Sequence, residues 1–345
     1  MTKVYSYCKN GAGKEARLKK TVLVLTNSED GQHSEVVISK LAARDEQVFR
    51  FDSDALSSGK AKILFASARG GAEFIIEQDG RSVSSADVKS VWYRRPNRFK
   101  LEIRDPVQKS FAEAELRSFL EGLWAILENR NVFWLSKPAA LERGRKKLLQ
   151  LELAARKGMR TPPTIVTNDP EEVRRFYTAC AGRMVFKAIY HEFLDYGDRA
   201  YNIPTTLIGP EHLPKLDLVR RSPTLFQQYI EKDHELRVTA VGERAFAAKI
   251  DSQKNPLAVV DWRTPKCVQN LDYSKAELDP GVEAFCREML RDLDLAFGAF
   301  DFIVDKKGEL WFLEVNPNGQ WYWLEDRAGL LISDAIVDIL RAERR

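Results

Sequence analysis

Apolar residues recur along this chain with two different periods, and the change from one to the other divides it. TVLVL (21–25) is a short, unbroken apolar run; a polar turn follows, then Val37 and Leu41 at helical spacing, then QVFRF (47–51). A buried strand, an amphipathic helix and a second strand in that order predict a βαβ unit. EFIIE (73–77) and SVWYRR (90–95) read as its continuation. From about Phe111 to Asn129, Leu116, Leu120, Leu123, Trp124 and Leu127 share one stripe, which predicts a long amphipathic helix. The first strand is not followed by GxGxxG, so a dinucleotide site is not supported.

Beyond WLSKP (134–138) the grammar changes. A basic helix is expected from Leu141 to Lys157, stopped by Gly158 with Pro162 and Pro163 beyond. Asp169-Pro170-Glu171-Glu172 reads as a helix start, with Asp as cap, Pro in the first turn and Glu three residues on. MVFKAI (184–189), YNIPTTLI (201–208), TLFQQYI (224–230), ELRVTAV (235–241) and RAFAAKI (244–250) read as strands. They lie too close together for parallel crossovers, which predicts a largely antiparallel arrangement. A helix over Pro280–Ala296 should bury Val282, Phe285, Met289 and Leu293, and a hairpin should follow it.

Composition narrows the classes. At 345 residues and 44% hydrophobic content the chain has room for two or three subdomains. No apolar run approaches a membrane span, and the polar, basic N-terminus has no signal-peptide core. Residues 1–20 hold five lysines and one arginine and read as a loose extension. A net charge of +4 with interleaved signs does not argue for nucleic acid. Cys8, Cys180, Cys267 and Cys286 show no metal-type spacing and read as reduced thiols in a cytoplasm.

The candidate chemistry starts at FGAFDFIVDKKGELWFLEVNPNGQWYWLED (297–326). With a four-residue loop over Lys306–Glu309, Asp305 pairs with Leu310 and Asp301 falls opposite Glu314. Like charges across a strand pair repel. Glu314 and Asn316 share a face, so three oxygen-bearing side chains converge. Either this face is solvated, or a hard cation such as Mg²⁺ sits there. Lys187, in an otherwise apolar strand, calls for a partner such as a phosphate, or snorkels from an edge. Lys147 lies on a basic helix whose other face is leucine. Arg237 follows Glu235 by two and faces the same side. Lys249 and Arg263 add positive charge.

The order of these parts resembles the ATP-grasp superfamily: a helix lysine, a strand lysine, Gln-Tyr-Ile-Glu, Glu-x-Arg, Asp, and finally Glu-x-Asn. SVWYRRP (90–96), KKLLQLELAARKGMRTPPT (146–164), DWR (261–263) and FLEVNPNGQWYWLE (312–325) resemble, more narrowly, the graspetide maturases, microviridin-type ligases that make side-chain ester or amide crosslinks in ribosomal peptides. That resemblance implies an α/β (α+β) ATP-grasp fold. It would comprise an extension (1–20), a Rossmann-like pre-ATP-grasp domain (21–135), a central subdomain (136–226) and a C-terminal antiparallel-sheet subdomain (227–345).

It also implies roles. Lys147, with Lys146 as its rival, and Lys187 would contact the nucleotide phosphates. Gln228, Tyr229, Ile230 and Glu231 would line the adenine edge through backbone groups. Glu235 would take the ribose hydroxyls, and Lys249 would belong to the same nucleotide site. Asp301, Glu314 and Asn316 would hold Mg²⁺. Arg237 and Arg263, with Lys187, would face the reacting carboxylate or its phosphate. The leader of a precursor peptide would bind the segment 189–203, through Glu192, Asp195 and Asp198 for cations and Phe193, Tyr196 or Tyr201 for apolar anchors. Trp321 and Trp323 are read first as core. A cytoplasmic homodimer using ATP and Mg²⁺, with no nucleic-acid or membrane partner, is the expectation. A small-molecule carboxylate–amine ligase of the glutathione-synthetase kind, or a non-catalytic ATP-binding module, are the alternatives.

Overall fold

The computed structural model describes residues 20–342 apart from 70, 97–98, 131, 191–192, 196–199 and 264–269, and gives 193–195 and 200–202 as backbone. The expected N-terminal extension therefore lies outside the described residues, save Lys20. The chain divides into two compact units, one up to Pro138 together with residues from Ile332 onward, the other Ala139–Leu331.

In the first unit, β1 (Thr21–Thr26) is buried along its whole length. It lies between β2 (Gln47–Asp52) and β6 (Val88–Tyr93) in a parallel sheet completed by β7 (Phe133–Leu135). A strand enclosed on both sides reads as an unbroken apolar run, as this one does. Helix α1 (Gln32–Ala43) makes the crossover and buries Val37 and Leu41 as expected. The C-terminal helix Ile332–Arg341 packs in this unit, its Asp334 paired with Lys40 and Arg44 of α1 at 2.8 and 2.6 Å.

EFIIE does not join the parallel sheet. It is β4 (Gly71–Gln78), the middle of an antiparallel ribbon with β3 (Ala61–Ala68) and β5 (Arg81–Ser84). Only two residues separate Ala68 from Gly71, too few for a crossover, so the strands must pair antiparallel. Helix α2 (Pro106–Glu128) begins five residues before the expected start, because Asp105 caps it by accepting from the Val107 and Gln108 N–H groups. Leu120, Leu123, Trp124 and Leu127 are buried, and Leu116 is half-buried.

In the second unit, the expected helix 141–157 is two: α3 (Pro138–Gly144) and α4 (Lys147–Arg156). The buried Gln150 explains the break. Its amide donates to the Gly144 and Val315 carbonyls at 2.6 and 2.8 Å and accepts from the Val315 N–H at 2.9 Å. A continuous helix would spend the Gly144 carbonyl internally. Gly144 also lies so close to Pro317 that a Cβ would meet its ring at 3.1 Å.

Strands β8 (Thr164–Thr167), β9 (Met184–Lys187), β12 (Thr206–Leu207) and β13 (Thr224–Gln228) form an antiparallel sheet, order β12-β9-β13-β8. Helix α5 (Pro170–Ala179) packs Val173 with Met184 and Phe226. Asp169 caps it, accepting from Glu171 N–H at 2.9 Å; Glu172 pairs with Arg175 instead of completing a capping box. YNIPTTLI is not one strand: Pro204 separates β12 from β11 (Ala200–Asn202), which forms its own ribbon with β10 (Phe193–Asp195).

The largest sheet has the order β16-β15-β14-β17-β18, all antiparallel: β14 (Lys232–Val241), β15 (Arg244–Ile250), β16 (Tyr273–Ala276), β17 (Phe297–Asp305) and β18 (Leu310–Asn316). One face carries Phe300, Phe302 and Phe312, packed edge-on against Phe285 of α6 (Pro280–Asp292), with centroids 5.4–6.4 Å apart. Alternation sends Glu235, Arg237 and Asp301 to the other face, and a register shift between Asp301 and Phe302 brings Glu314 there as well.

Candidate active site

Asp301 and Glu314 are cross-strand partners, as the hairpin predicts, but by another route. Val304, not Asp305, pairs with Leu310, and the register shifts by one residue between Asp301 and Phe302. The turn is longer because Asp305 caps it, accepting from the Lys307 and Glu309 N–H groups at 2.9 Å each. Leu313 is then the extra residue of a β-bulge, a device that re-aims side chains. The two changes cancel.

Both carboxylates line a cleft of roughly 600 Å³, counting its open mouth. Strands β9 and β13 supply Lys187 and Gln227–Gln228, while β14, β17 and β18 supply Lys232, Glu235, Asp301 and Glu314. Asp261, Trp262 and Arg263 enter from the loop after β15.

The charges interlock. Glu314 accepts from Arg263 at 2.8 Å and pairs with Lys147 at 3.2 Å. Burial works to raise its pKa, but Lys147, Arg263 and Lys187 outweigh that and hold it at about 2. Lys147 also donates to the Ala188 carbonyl at 2.9 Å. As the first residue of α4, just past the break, it reaches over the end of β9. Arg263 grips both oxygens of Asp261 at 3.0 Å each, and Asp261 accepts from the Thr205 N–H at 3.0 Å. Burial would raise the Asp261 carboxyl; the guanidinium and that N–H bring it below the usual range.

Lys187 donates to Gln227 at 2.8 Å, and burial pushes its ammonium down to about 8. Arg237 donates to Asp301 at 2.7 Å and to the Gln320 carbonyl at 3.3 Å. Glu235 accepts from Lys232 through one oxygen and from Ser252 through the other; burial raises its pKa against their pull.

The remaining expected residues sort as follows. Gln228, Tyr229 and Ile230 line the cleft, but the first two spend their N–H groups on Pro163 and Arg183 carbonyls, at 2.8 and 2.9 Å. Glu231 points elsewhere, paired with Arg183 at 2.6 Å. Asn316 is exposed, its side chain accepting from the Asn318 N–H at 3.0 Å, and it does not line the cleft. Lys249 pairs with Leu236, so it faces away from Glu235 and Arg237 and bridges to Asp251 at 3.1 Å. Trp321 is fully buried. Trp323 is half-buried in an aromatic group with Trp262 and Tyr273, at 5.4 and 4.8 Å. Of the leader-binding candidates, Glu192, Tyr196 and Asp198 lie outside the described residues; Phe193, Asp195 and Tyr201 fall on the β10–β11 ribbon.

From sequence, Lys232, Ser252 and Gln227 have no role, and Asp261 only a place in the DWR motif (261–263). Lys232 and Asp261 had a usable signal, each lying within three residues of a suspected charge; Ser252 and Gln227 had none.

A family model described as the MvdD pre-ATP grasp domain matches residues 21–142. The Chryseobacterium gregarium RiPP-associated ATP-grasp ligase, solved with ADP and a leader and core peptide, is 30% identical over 94% of this chain and 98% of its own, with a TM-score of 0.86. The macrocyclases MdnC, solved with precursor peptide MdnA, and MdnB, both from Microcystis aeruginosa MRC, are 31% and 30% identical. They cover 93% and 94% of this chain and 99% and 100% of their own, with TM-scores of 0.81 and 0.76. No curated protein matches. A charged cleft lined from two antiparallel sheets, in a chain that also matches the pre-ATP-grasp family model, defines the protein as an ATP-grasp ligase, an ATP-dependent enzyme. Within that class the chain belongs to the RiPP-associated ATP-grasp ligases.

Proposed function

We propose that the protein phosphorylates Asp or Glu side chains of a ribosomally made precursor peptide with ATP and closes them onto Ser, Thr or Lys side chains of the same peptide. The observation that carries this reading is the convergence of Lys147 and Arg263 on Glu314, with Lys187 in the same cleft. A carboxylate is a poor electrophile, and bringing it to ATP assembles anions. Fixed cations offset that repulsion in the transition state. The substrate carboxylate oxygen attacks the γ-phosphorus and ADP leaves. The hydroxyl or amine then attacks the acyl phosphate carbonyl, loses its proton, and expels phosphate.

Within this reading Lys147 and Lys187 bind phosphates, Gln228–Ile230 border the base, and Glu235 accepts from the ribose. Arg237 and Arg263 orient the reacting carboxylate. The donor set offered by Asp301 and Glu314, with Asn316 at the strand end, is oxygen only and mostly anionic, which fits Mg²⁺. Asp301 and Glu314 would hold the ion; when bound it supplies charge neutralisation at the phosphates. The Asn316 side chain would have to turn from the Asn318 N–H to join them. The β10–β11 ribbon would take the leader. The family resemblance also supports a cytoplasmic homodimer; among the described residues no helix is long and apolar enough to cross a membrane.

The test is incubation with the peptide encoded beside the gene, ATP and Mg²⁺. ADP release with loss of one water per link supports the reading. ADP release with free amino acids and no peptide would favour a small-molecule ligase, and nucleotide binding without ADP would reject catalysis.

A further inference from the structure

Lys232 and Glu235 are three residues apart on β14, and a regular strand would send them to opposite faces. They meet because β14 carries a bulge. Lys232 pairs with Asp305 and His234 with Val304, leaving Asp233 as an extra, exposed residue. The shift turns Lys232 onto the cleft face beside Glu235, and both line the cleft. Each is only 4% exposed.

The hydrogen-bond count of this pair is incomplete. An ammonium carries three donors. Lys232 gives one to Glu235 and one to the Val260 carbonyl at 3.1 Å; among the described residues no third acceptor meets it. Glu235 accepts once at each oxygen, from Lys232 and Ser252, and an ionised carboxylate has further lone pairs on both. A buried donor and a buried acceptor side by side, each with capacity left, match a group that both donates and accepts. A pair of adjacent hydroxyls is such a group.

We infer that Lys232 reads the ribose: with Glu235 it forms a donor–acceptor clamp on the nucleotide's 2′,3′-diol, the hydroxyls donating to Glu235 while Lys232 donates to a hydroxyl oxygen. This rests on the nucleotide occupying the cleft as proposed above. The bulge is then a binding device, since with Asp233 in a regular ladder the ammonium would face away.

The test is nucleotide binding by calorimetry, which does not require turnover. Wild type is expected to bind ATP about ten-fold more tightly than 2′-deoxy-ATP or 3′-deoxy-ATP, as loss of one hydrogen bond to a charged group implies. Lys232→Met should weaken ATP by a similar factor and leave at least one deoxy nucleotide nearly unchanged, so that its ratio to ATP falls. Lys232→Arg should restore part of the discrimination. An unchanged ratio in Lys232→Met would overturn the assignment. If the stranded Glu235 carboxylate keeps that variant from folding, Lys232→Met/Glu235→Gln is compared with Glu235→Gln alone. A lower ratio in the double variant supports the clamp, and equal ratios overturn it. Failure of wild type to bind ATP at all would instead reject the nucleotide reading.

Discussion

Asp301 and Glu314 stand across from one another on β17 and β18, yet each carboxylate is held by different cations: Arg237 at 2.7 Å for Asp301, Arg263 at 2.8 Å and Lys147 at 3.2 Å for Glu314. The repulsion between them is offset locally, and both carboxylates are aimed at one space.

Removing either charge should therefore separate catalysis from folding. Glu314→Gln and Asp301→Asn keep size and an acceptor oxygen. Each is expected to lower ADP release by at least about 100-fold, the scale seen when one preorganised electrostatic group is lost. Asp301→Asn should also lower the melting temperature, because Arg237 is buried and loses its counter-charge. Far-UV circular dichroism and ADP release together decide the matter; near-normal turnover in either variant would remove these residues from the site.

Arg263 joins two carboxylates with one side chain, both Asp261 oxygens at 3.0 Å and Glu314 at 2.8 Å. A lysine has a single nitrogen and cannot grip both Asp261 oxygens side by side while also reaching Glu314. Arg263→Lys should reduce kcat by about 100-fold, with a smaller change in KM for ATP. Steady-state kinetics with both substrates is the check; a change confined to KM for ATP would make Arg263 a nucleotide ligand instead.

Burial pushes Lys187 to about 8 from an ordinary value of 10.5. The unfolded chain therefore binds more protons than the folded one between those values, and the contribution of Lys187 to stability improves as pH rises through that window. Phosphate beside the ammonium should raise its pKa again, so nucleotide binding should take up a proton at about pH 8 and above. Calorimetry in buffers of different ionisation enthalpy measures this directly. Binding enthalpies independent of buffer would mean that Lys187 does not meet the phosphates.

How far the sequence reaches is shown by single residues. The Asp301–Glu314 pairing was legible because turn residues and strand alternation fix a hairpin closely, although the bulge at Leu313 and the longer turn were not. Lys249 was within reach too. A two-residue turn at Gly242–Glu243 sets it opposite Leu236, on the wrong face for the cleft. EFIIE read correctly as a strand but not as a ribbon, since periodicity reports which face is buried and not which strand is the neighbour. The split between α3 and α4 hangs on one buried glutamine whose partners lie at residues 144 and 315, a long-range fact no local pattern holds. Lys232 was missed for the same kind of reason: the bulge that aims it exists only against β17.

Gly319, in the Asn-Pro-Asn-Gly-Gln segment after β18, gives the last prediction. A Cβ there would lie 2.7 Å from the Ala299 Cβ and 2.8 Å from the Arg237 Nη2. Ala299 sits in the middle of β17 and cannot yield, so the segment around Gly319 must shift, and the guanidinium packed against it must move too. That guanidinium also donates to the neighbouring Gln320 carbonyl, and it is what holds Asp301 in place. Gly319→Ala should leave the sheet folded but push Arg237 off Asp301. The expected result is a fall in kcat of about ten-fold or more, one charge-assisted contact's worth, with ATP affinity little altered. Pairing the variant with Arg237→Gln in a double-mutant cycle tests the cause: if the glycine acts through Arg237, the second substitution adds little to the first. Full additivity would place the effect of Gly319 elsewhere.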